Sequence, residues 1–447
     1  MMRQRSNLPV LGCKPVCKRR FPMNIVYLHT HDTGRYIQPY GFAVPTPNLM
    51  QLAGEGLLFR HAYCAGPTCS PSRAALLTGM AAHSAGMLGL AHRGAQMDDY
   101  SRHLASFLSR NGYNTALSGI QHEAPEAEMI GYDNILGNPD FDMSVFDFDS
   151  VGWDLHNAKA AAEYIQEKKS KPFFLSFGMF NTHLNFPQAD PEINPAYLMP
   201  PPLFHDNRAN REQWAAYLTS AKAADQCIGI VLEAIKDANI EDETLVIYTT
   251  DHGLPFPRMK CSLFDTGIGV SLIIRTPQRH GKGEAVDALV SHMDLFPTIC
   301  ELAGLSKPDW LQGHSLLPIL EKKADSVREA VFAEINHHVE YEPMRCVRTE
   351  RYKYIRNYGE TAYLMPNVDA SEYRSFVGEH GFFHGEKPQE MLFDLYLDPM
   401  EKVNLAHEDK YRETKLQMEQ KLGNWMQATG DPLLSGAVPI RRIPQSG

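Results

Sequence analysis

The sequence lacks an excess of positive charge and any apolar run long enough to cross a bilayer. Its 447 residues hold 43 Lys and Arg against 53 Asp and Glu, a formal net charge of −10, whereas nucleic-acid-binding chains carry a basic stripe. A membrane-spanning helix needs about 20 apolar residues. We therefore expect no nucleic-acid partner and no membrane span. The 43% hydrophobic content excludes a disordered chain and is typical of globular proteins.

Cysteine is also scarce, with 8 residues in the chain, which is too few for a disulfide scaffold. Cys227, Cys300 and Cys346 lie in apolar or mixed segments, and we expect them to be buried thiols. The first 22 residues carry six bases and no acid, but they lack the apolar core of a secretory signal. We interpret residues 1–22 as a disordered leader or a start codon placed too early, and we expect a cytoplasmic location.

From Met23 onward, short β-rich runs alternate with helical stretches, which is typical of βαβ units and a mostly parallel sheet. The predicted strands include 24–28, 115–117, 171–178, 244–250 and 270–275, and the predicted helices include 46–56, 101–112, 153–169, 211–238 and 291–305. After residue 325, four short strand candidates follow one another, and a last helix is predicted over 410–426. We therefore predict an α/β catalytic domain over 23–325 and a smaller domain over 326–447, with an antiparallel sheet.

Polar residues directly follow three of the predicted parallel strands. His31 and Asp32 follow the first strand, His183 lies just after the strand that ends at residue 178, and Asp251 and His252 follow strand 244–250. Active sites of open α/β sheets lie at the carboxyl ends of the strands. Any one of these residues alone would be an ordinary polar cap, but together they predict a metal or catalytic site.

A helix start at residues 69–79 (CSPSRAALLTG) provides a further candidate site. Ser70 is the predicted cap, and Pro71 the first helical residue. A helix N-terminus attracts anions and lowers the pKa of a nearby thiol, and Arg73 adds a positive charge. The residues thus predict a reactive Cys69 in an anion-binding site.

This segment matches every defined position of C-x-P-S-R-A-x-x-x-T-G, the signature of the sulfatase family within the alkaline-phosphatase superfamily. The chain most resembles heparan N-sulfatases (sulfamidases) and their bacterial relatives, and the likeness extends over nearly all of the folded part. That closer likeness lies in residues 76–80, 86–90, 244–257, 336–338, 343–345 and 392–405. The resemblance implies a mostly parallel central sheet flanked by helices, and hydrolysis of a sulfate ester or a sulfamate with release of inorganic sulfate.

The resemblance also implies a role for each matching catalytic residue. Cys69 would be converted by a maturation enzyme to Cα-formylglycine, whose hydrate is the nucleophile, and Arg73 would hold that hydrate. His122 would help to regenerate the aldehyde. His183 would lie near the leaving-group atom, and Lys260 would bind the sulfuryl oxygens.

The implied metal ligands are Asp32, Asp251, His252 and the modified Cys69, and His31 replaces the first of two adjacent aspartates usual in the family. The family resemblance indicates calcium, which prefers oxygen ligands. Imidazole suits transition metals, so manganese, magnesium or zinc stays open. Alternatively, His31 contacts the metal ligands without binding the metal itself.

Ile120 stands where the family usually has a lysine, two residues before His122, so the sulfate pocket loses one cation. Either another base fills that place, or the substrate or the activity has changed. Two other functions therefore stay open: hydrolysis of a phosphate or phosphonate ester, and ligand binding without catalysis.

His337, His338 and Arg345 match the sulfamidase-like segment and are expected to bind substrate. Arginine suits a sugar carboxylate or a second sulfate, and the alternative is a structural histidine pair at a domain interface. The expected substrate is a small sulfated or sulfamated compound such as a sugar. The sequence leaves the oligomeric state and the choice between O-sulfate and N-sulfate open.

Overall fold

A computed structural model describes residues 23–137, 148–361, 363–364 and 366–438. The proposed leader over residues 1–22 lies outside the described residues. Within those ranges, no helix combines the length and the apolar character that crossing a bilayer requires.

A nine-stranded, mostly parallel sheet forms the larger part of the structure, as predicted. The strands are β1 (Asn24–Thr30), β2 (Leu57–Tyr63), β3 (Asn114–Gly119), β4 (Asn134–Leu136), β5 (Phe173–Gly178), β6 (Thr244–Thr250), β7 (Gly269–Val270), β8 (Leu272–Arg275) and β9 (Glu284–Ser291). Their order is β4-β3-β5-β1-β6-β8-β2-β7, and β9 pairs with β2. Strands β4, β3, β5, β1 and β6 run parallel to their neighbours in that order.

Helices cover both faces of this sheet. The helices are α1 (Pro47–Glu55), α2 (Cys69–Thr78), α3 (Leu104–Arg110), α4 (Ser150–Gln166), α5 (Arg208–Asp237), α6 (Asp265–Ile268), α7 (Leu295–Ala303), α8 (Leu317–Leu320), α9 (Glu372–Glu379) and α10 (Arg412–Thr429). Along β1, Ile25 and Tyr27 join the core shared with α2, α3 and α7, while Val26 and Leu28 join the core shared with α1, α4 and α5. Both faces of β1 are therefore buried, which explains its continuous apolar run.

A second sheet follows, with four antiparallel strands as predicted. These are β10 (Ala330–His337), β11 (Tyr341–Thr349), β12 (Tyr352–Asn357) and β13 (Glu390–Asp394), in that order. Helix α10 packs on this sheet through Met418, Leu422 and Met426. Ile335 and Ile355 of this sheet belong to the same apolar core as the large sheet, and the domain boundary at residue 325 stays a prediction.

Several elements differ from the sequence-based expectation. The predicted strand 270–275 is divided into β7 and β8, and β8 runs antiparallel to β6. Strand β2 was not predicted, because the exposed Arg60 and the partly buried His61 interrupt its apolar pattern. Helix α7 begins only at Leu295, since a capping box between Ser291 and Asp294 holds the preceding turn in a 3-10 conformation.

The cysteine prediction is confirmed, since Cys227, Cys300 and Cys346 are buried free thiols.

Candidate active site

The parallel register brings the carboxyl ends of β1, β5 and β6 to one edge of the sheet. Thr30 at the end of β1 pairs with Thr250 at the end of β6, and His29 pairs with Gly178 at the end of β5. The residues that follow these strands therefore meet, as predicted.

Two carboxylates and two imidazoles converge at this edge. His31 Nδ1 lies 2.9 Å from Asp32 Oδ1 and 3.1 Å from Asp251 Oδ2, and His252 Nε2 lies 3.3 Å from Asp32 Oδ1. Asp32 takes a left-handed φ of 51°, which aspartate tolerates, and its backbone N–H donates to Asp251 Oδ1 at 2.8 Å. All four side chains are shielded from solvent.

This centre fits a divalent metal ion. One potential ligand atom from each of Asp32, Cys69, Asp251 and His252 lies within 4.8 Å of the others, and His252 Nε2 has no hydrogen-bond partner. Burial lowers the pKa of His31 to about 4, against the opposing effect of both carboxylates. Its ring is therefore neutral at physiological pH and able to coordinate a cation.

Cys69 opens helix α2 beside this centre, but not with the predicted cap. Thr68 is the N-cap residue and Cys69 the first helical residue, whereas Ser70 lies inside the helix and its Oγ accepts a hydrogen bond from the Ala91 N–H. The expected low thiol pKa is also wrong. Burial raises the pKa of Cys69, and although Lys260 acts to lower it, neighbouring carboxylates raise it further.

Arg73, one turn further along α2, lies fully buried between the metal centre and β1. Its guanidinium donates to Asp251 Oδ2 at 3.0 Å and to His29 Nδ1. Because arginine has no acceptor, His29 Nδ1 must be unprotonated, and Nε2 can donate to Ser176 Oγ at 3.2 Å. His29 thus holds Arg73 in place, a role that the sequence analysis missed.

Lys260 is the second buried cation of the site. Its Nζ lies 3.0 Å from Asp32 Oδ2, 2.6 Å from Asp369 Oδ2 and 3.3 Å from His183 Nε2. Burial acts to lower the pKa of Lys260, but Asp32 and Asp369 raise it well above its ordinary value. The ammonium group therefore stays charged.

A cavity of about 190 Å³ opens onto these groups. It is lined by His31, Cys69, Leu90, His92, Arg93, His122, Phe180, His183, Leu184, Lys260, His338 and Asp369. Burial lowers the pKa of His122 well below its ordinary value, an effect that His31 and Arg73 increase. Neither ring nitrogen of His122 has a hydrogen-bond partner, so this neutral imidazole can accept a proton.

Ile120 is not among the residues that line the cavity. It is buried, and its N–H donates to Gly178 O at 2.9 Å. No lysine thus enters the cavity from this position, and Arg93 and Lys260 are the basic residues of the lining.

Two of the three expected substrate-binding residues lie elsewhere. His338 lines the cavity, but His337, the last residue of β10, lines a separate space of about 50 Å³. The expectation for Arg345 is wrong. Its guanidinium is fully buried, donates to Asp431 at 2.5 and 2.9 Å, and lies 3.4 Å from Glu334, so its charge serves internal ion pairs.

Asp369 is the acidic residue of the cavity that sequence reasoning missed. It lies in an irregular segment between β12 and α9, where neither periodicity nor a strand end marks it. His92 and Arg93 were also missed. Both residues lie beyond the loop that follows α2, so they are distant in sequence from the Cys69 segment.

The mostly parallel sheet, and the acidic, histidine-rich centre at its carboxyl edge that could hold a metal ion, define the class, a hydrolase with a mixed α/β fold. A model of the sulfatase family matches residues 23–305, and a model of the C-terminal part of N-sulphoglucosamine sulphohydrolase matches residues 257–382. The chain therefore belongs to the sulfatase family, whose members hydrolyse sulfate esters or sulfamates.

Individual relatives agree with this assignment. Human N-sulphoglucosamine sulphohydrolase is 28% identical over 480 residues, covering 95% of this chain and 93% of that protein. An ulvan-active sulfatase of Formosa agariphila is 29% identical over 459 residues, covering 91% of this chain and 75% of that protein. A solved protein in complex with its substrate D-glucosamine-2-N,6-O-disulfate shares the fold, with a TM-score of 0.74, 18% identity and coverage of 92% of this chain and 99% of that one.

Proposed function

We propose that this chain hydrolyses a sulfamate or sulfate ester on a sugar, with Cα-formylglycine formed from Cys69 and one bound divalent metal ion. The observation that carries the proposal is the placement of Cys69 within ligand distance of Asp32, Asp251 and His252, next to the buried cations Arg73 and Lys260. The raised pKa of the Cys69 thiol supports a modified nucleophile, because an unmodified thiol there stays protonated and unreactive.

The residues Asp32, Asp251, His252 and His31 would hold the metal, which would supply charge stabilisation at the sulfuryl oxygens. Calcium was expected from the family resemblance. The two imidazole nitrogens at this centre support a transition dication instead, manganese or zinc, because nitrogen ligands suit these ions better than calcium.

The remaining chemistry is assigned to side chains around the cavity. A formylglycine hydrate would supply the attacking hydroxyl and allow sulfate to leave by elimination. Arg73 orients this group, and Lys260 compensates the negative charge of the sulfuryl oxygens. His183, whose Nε2 lies 3.3 Å from Lys260 Nζ, would protonate the leaving nitrogen or oxygen. The neutral His122 accepts the proton that is lost when sulfate departs.

A sugar substrate is supported by what the relatives act on. N-sulphoglucosamine names the substrate of the human relative, and the solved neighbour binds a glucosamine disulfate. We propose N-sulfoglucosamine, or a short saccharide ending in it, as the substrate. A formylglycine-generating enzyme of the host would be the required partner.

Two measurements test this proposal. Peptide mass spectrometry of residues 60–73 from protein made in its native host should find Cys69 as formylglycine. The same protein should release sulfate from N-sulfoglucosamine faster than from glucosamine 6-O-sulfate. Unmodified Cys69 together with no sulfate release from either compound would refute the proposal.

A phosphonate or phosphate ester is the second candidate substrate. The observation that favours it is the histidine-rich centre, in which the neutral His31 stands in place of a carboxylate and leaves a less negative centre for a more anionic ester. Comparing the turnover of 4-nitrophenyl sulfate with that of 4-nitrophenyl phenylphosphonate, with the same metal-loaded protein, separates the two functions.

A further inference from the structure

The carboxylate of Asp369 lies at the wall of the cavity. The proposed mechanism gives this carboxylate no role. Its Oδ2 is 2.6 Å from Lys260 Nζ and 3.9 Å from His183 Nε2, and its side chain is 27% exposed. Burial acts to raise the pKa of Asp369, but Lys260 and His183 lower it far below its ordinary value. An anion therefore stands where an anionic sulfuryl group must bind.

Hydrogen bonds to the second sheet anchor the segment that carries this carboxylate. The neighbouring Asn367 accepts hydrogen bonds from the N–H groups of Val339 and Glu340 at 2.8 and 3.0 Å, and its amide donates to Glu342 Oε2 at 2.8 Å. His338 Nδ1 lies 2.7 Å from Asn367 O. The turn between β10 and β11 thus fixes both cavity residues that this part of the chain contributes, His338 and Asp369.

A sulfuryl group bound to Lys260 would lie close enough to Asp369 for the carboxylate to contact a group next to the sulfated atom of a sugar ring. Asp369 lies 2.6 Å from Lys260 Nζ, and a sulfuryl oxygen bound to Lys260 would lie about 2.9 Å from the same Nζ. The carboxylate is therefore within about 5.5 Å of that oxygen. Both recorded contacts use Oδ2, so a substrate donor can bind Oδ1 without displacing Lys260.

We propose that Asp369 is a specificity-determining residue, which selects substrates whose group next to the sulfated atom is a hydrogen-bond donor and rejects those with a second anion there. The ligand class is a sugar with a hydroxyl or ammonium group beside the sulfamate or sulfate. A carboxylate accepts a strong hydrogen bond from such a donor and repels a second sulfate or a carboxylate at this distance. This inference rests on the proposed function.

Equilibrium binding to the Cys69→Ala variant, which cannot turn over, tests the inference. The two ligands are N-sulfoglucosamine and its 3-O-sulfated form, which differ only in the group beside the N-sulfate. With Asp369 present, the first should bind at least about tenfold more tightly than the second. Adding Asp369→Asn should reduce that ratio at least about tenfold. If the Asn variant folds poorly, the same ratio is measured with Asp369→Ser instead.

The affinity ratio distinguishes selection from a merely structural role. If Asp369 only anchors Lys260, its replacement changes both affinities equally, and the ratio stays the same. An unchanged ratio therefore overturns the inference. Failure of both ligands to bind at millimolar concentration overturns it as well. Asp190→Asn, which removes a partly exposed carboxylate 2.8 Å from Lys222, is the matched control and should leave the ratio unchanged. Because the binding assay involves no sulfate release, it can succeed or fail independently of the hydrolysis assay.

Discussion

The Cys69 side chain is fully buried among carboxylates, so its thiol is a poor nucleophile without modification. The pKa of the thiol is raised by burial and by Asp32 and Asp251, against Lys260. Both Cys69→Ala and Cys69→Ser should therefore reduce multiple-turnover sulfate release more than about 10³-fold. A serine hydroxyl can accept a sulfuryl group but has no second hydroxyl from which to expel it, so a single burst at most is expected. Steady-state sulfate release measures the effect, and full activity of Cys69→Ala would refute the mechanism.

The imidazole of His31 should determine which metal binds. His31→Asp replaces a neutral nitrogen donor by a hard, negatively charged oxygen donor beside Asp32 and Asp251. We expect the variant to gain at least about tenfold in calcium affinity relative to zinc or manganese, because calcium prefers oxygen ligands. Competition calorimetry on metal-depleted protein measures this ratio directly, without an activity assay.

His205→Asp is the control for the metal prediction, since it makes the same change at an exposed position. A calcium preference that is already present in the wild-type protein and unaltered by His31→Asp would contradict the prediction.

How well the sequence predicted the site depends on where each residue lies. Asp32, His183 and Asp251 follow parallel strands, and the geometry of such sheets brings strand ends together. Arg345 could not be judged in this way, because its partner Asp431 lies 86 residues further along the chain. Asp369 could not be found either, because tertiary contacts bring it to the site, such as the hydrogen bonds of Asn367 to the β10–β11 turn.

Close approach between β1, the end of β5 and the residue after β3 leaves no room for a side chain at Gly178. A Cβ there would lie 2.2 Å from Ile120 O and 2.5 Å from His29 Cε1. Gly178→Ala should therefore push the strand ends apart and release His29 from Arg73. We expect a loss of about 1–3 kcal/mol in the free energy of unfolding, measured by chemical denaturation.

Gly423→Ala is the matched control for this element, because a Cβ at Gly423 in α10 meets no atom within 4 Å. Since alanine favours helix more than glycine, this change should stabilise the protein by roughly 0.5–1 kcal/mol. Equal effects of the two substitutions would show that the strand ends are not tightly packed.

Strand prediction succeeded where burial is uniform and failed at the far edge of the sheet. β1 and β6 are buried along nearly their whole length, because helices cover both faces of the sheet, and each has a central apolar run. β9 was missed because its first four residues are not buried and only its second half reads as a core strand. Its pairing with β2 is set by tertiary contacts, which a local pattern does not contain.

At the scale of the whole molecule, buried ion pairs connect the second sheet to the loops around α2. Glu334 of β10 donates its N–H to Ala65 O at 2.9 Å, and its Oε1 accepts from the His83 N–H and contacts His83 Nδ1, both at 2.9 Å. Arg345 lies 3.4 Å from the other oxygen. The ion pairs between β10 and the loop after α2 therefore depend on the Glu334 carboxylate remaining ionised.

This arrangement predicts that the contacts of Glu334 contribute most to the free energy of unfolding in mildly acidic solution. Although burial opposes it, His83 and Arg345 lower the pKa of Glu334 from 4.5 to about 2. The stabilisation is therefore complete above about pH 4.5, amounts to about 3 kcal/mol, and is lost as the pH falls towards 2. Glu334 likewise raises the pKa of His83 above 6.5, despite burial, so the contribution of His83 is complete below about pH 6.5 and is lost as the pH rises through its raised pKa.

Glu334→Gln tests both limits of this window. The difference in unfolding free energy between the wild type and the variant should be largest between about pH 4.5 and 6.5, and should shrink on either side as Glu334 gains its proton or His83 loses its own. Glu233→Gln, which removes an exposed carboxylate 3.1 Å from Lys236, should show a small and nearly flat difference over the same range. Chemical denaturation curves at several pH values measure these differences in unfolding free energy. If the difference for Glu334→Gln does not change with pH, this carboxylate does not couple the second sheet to the catalytic part of the chain.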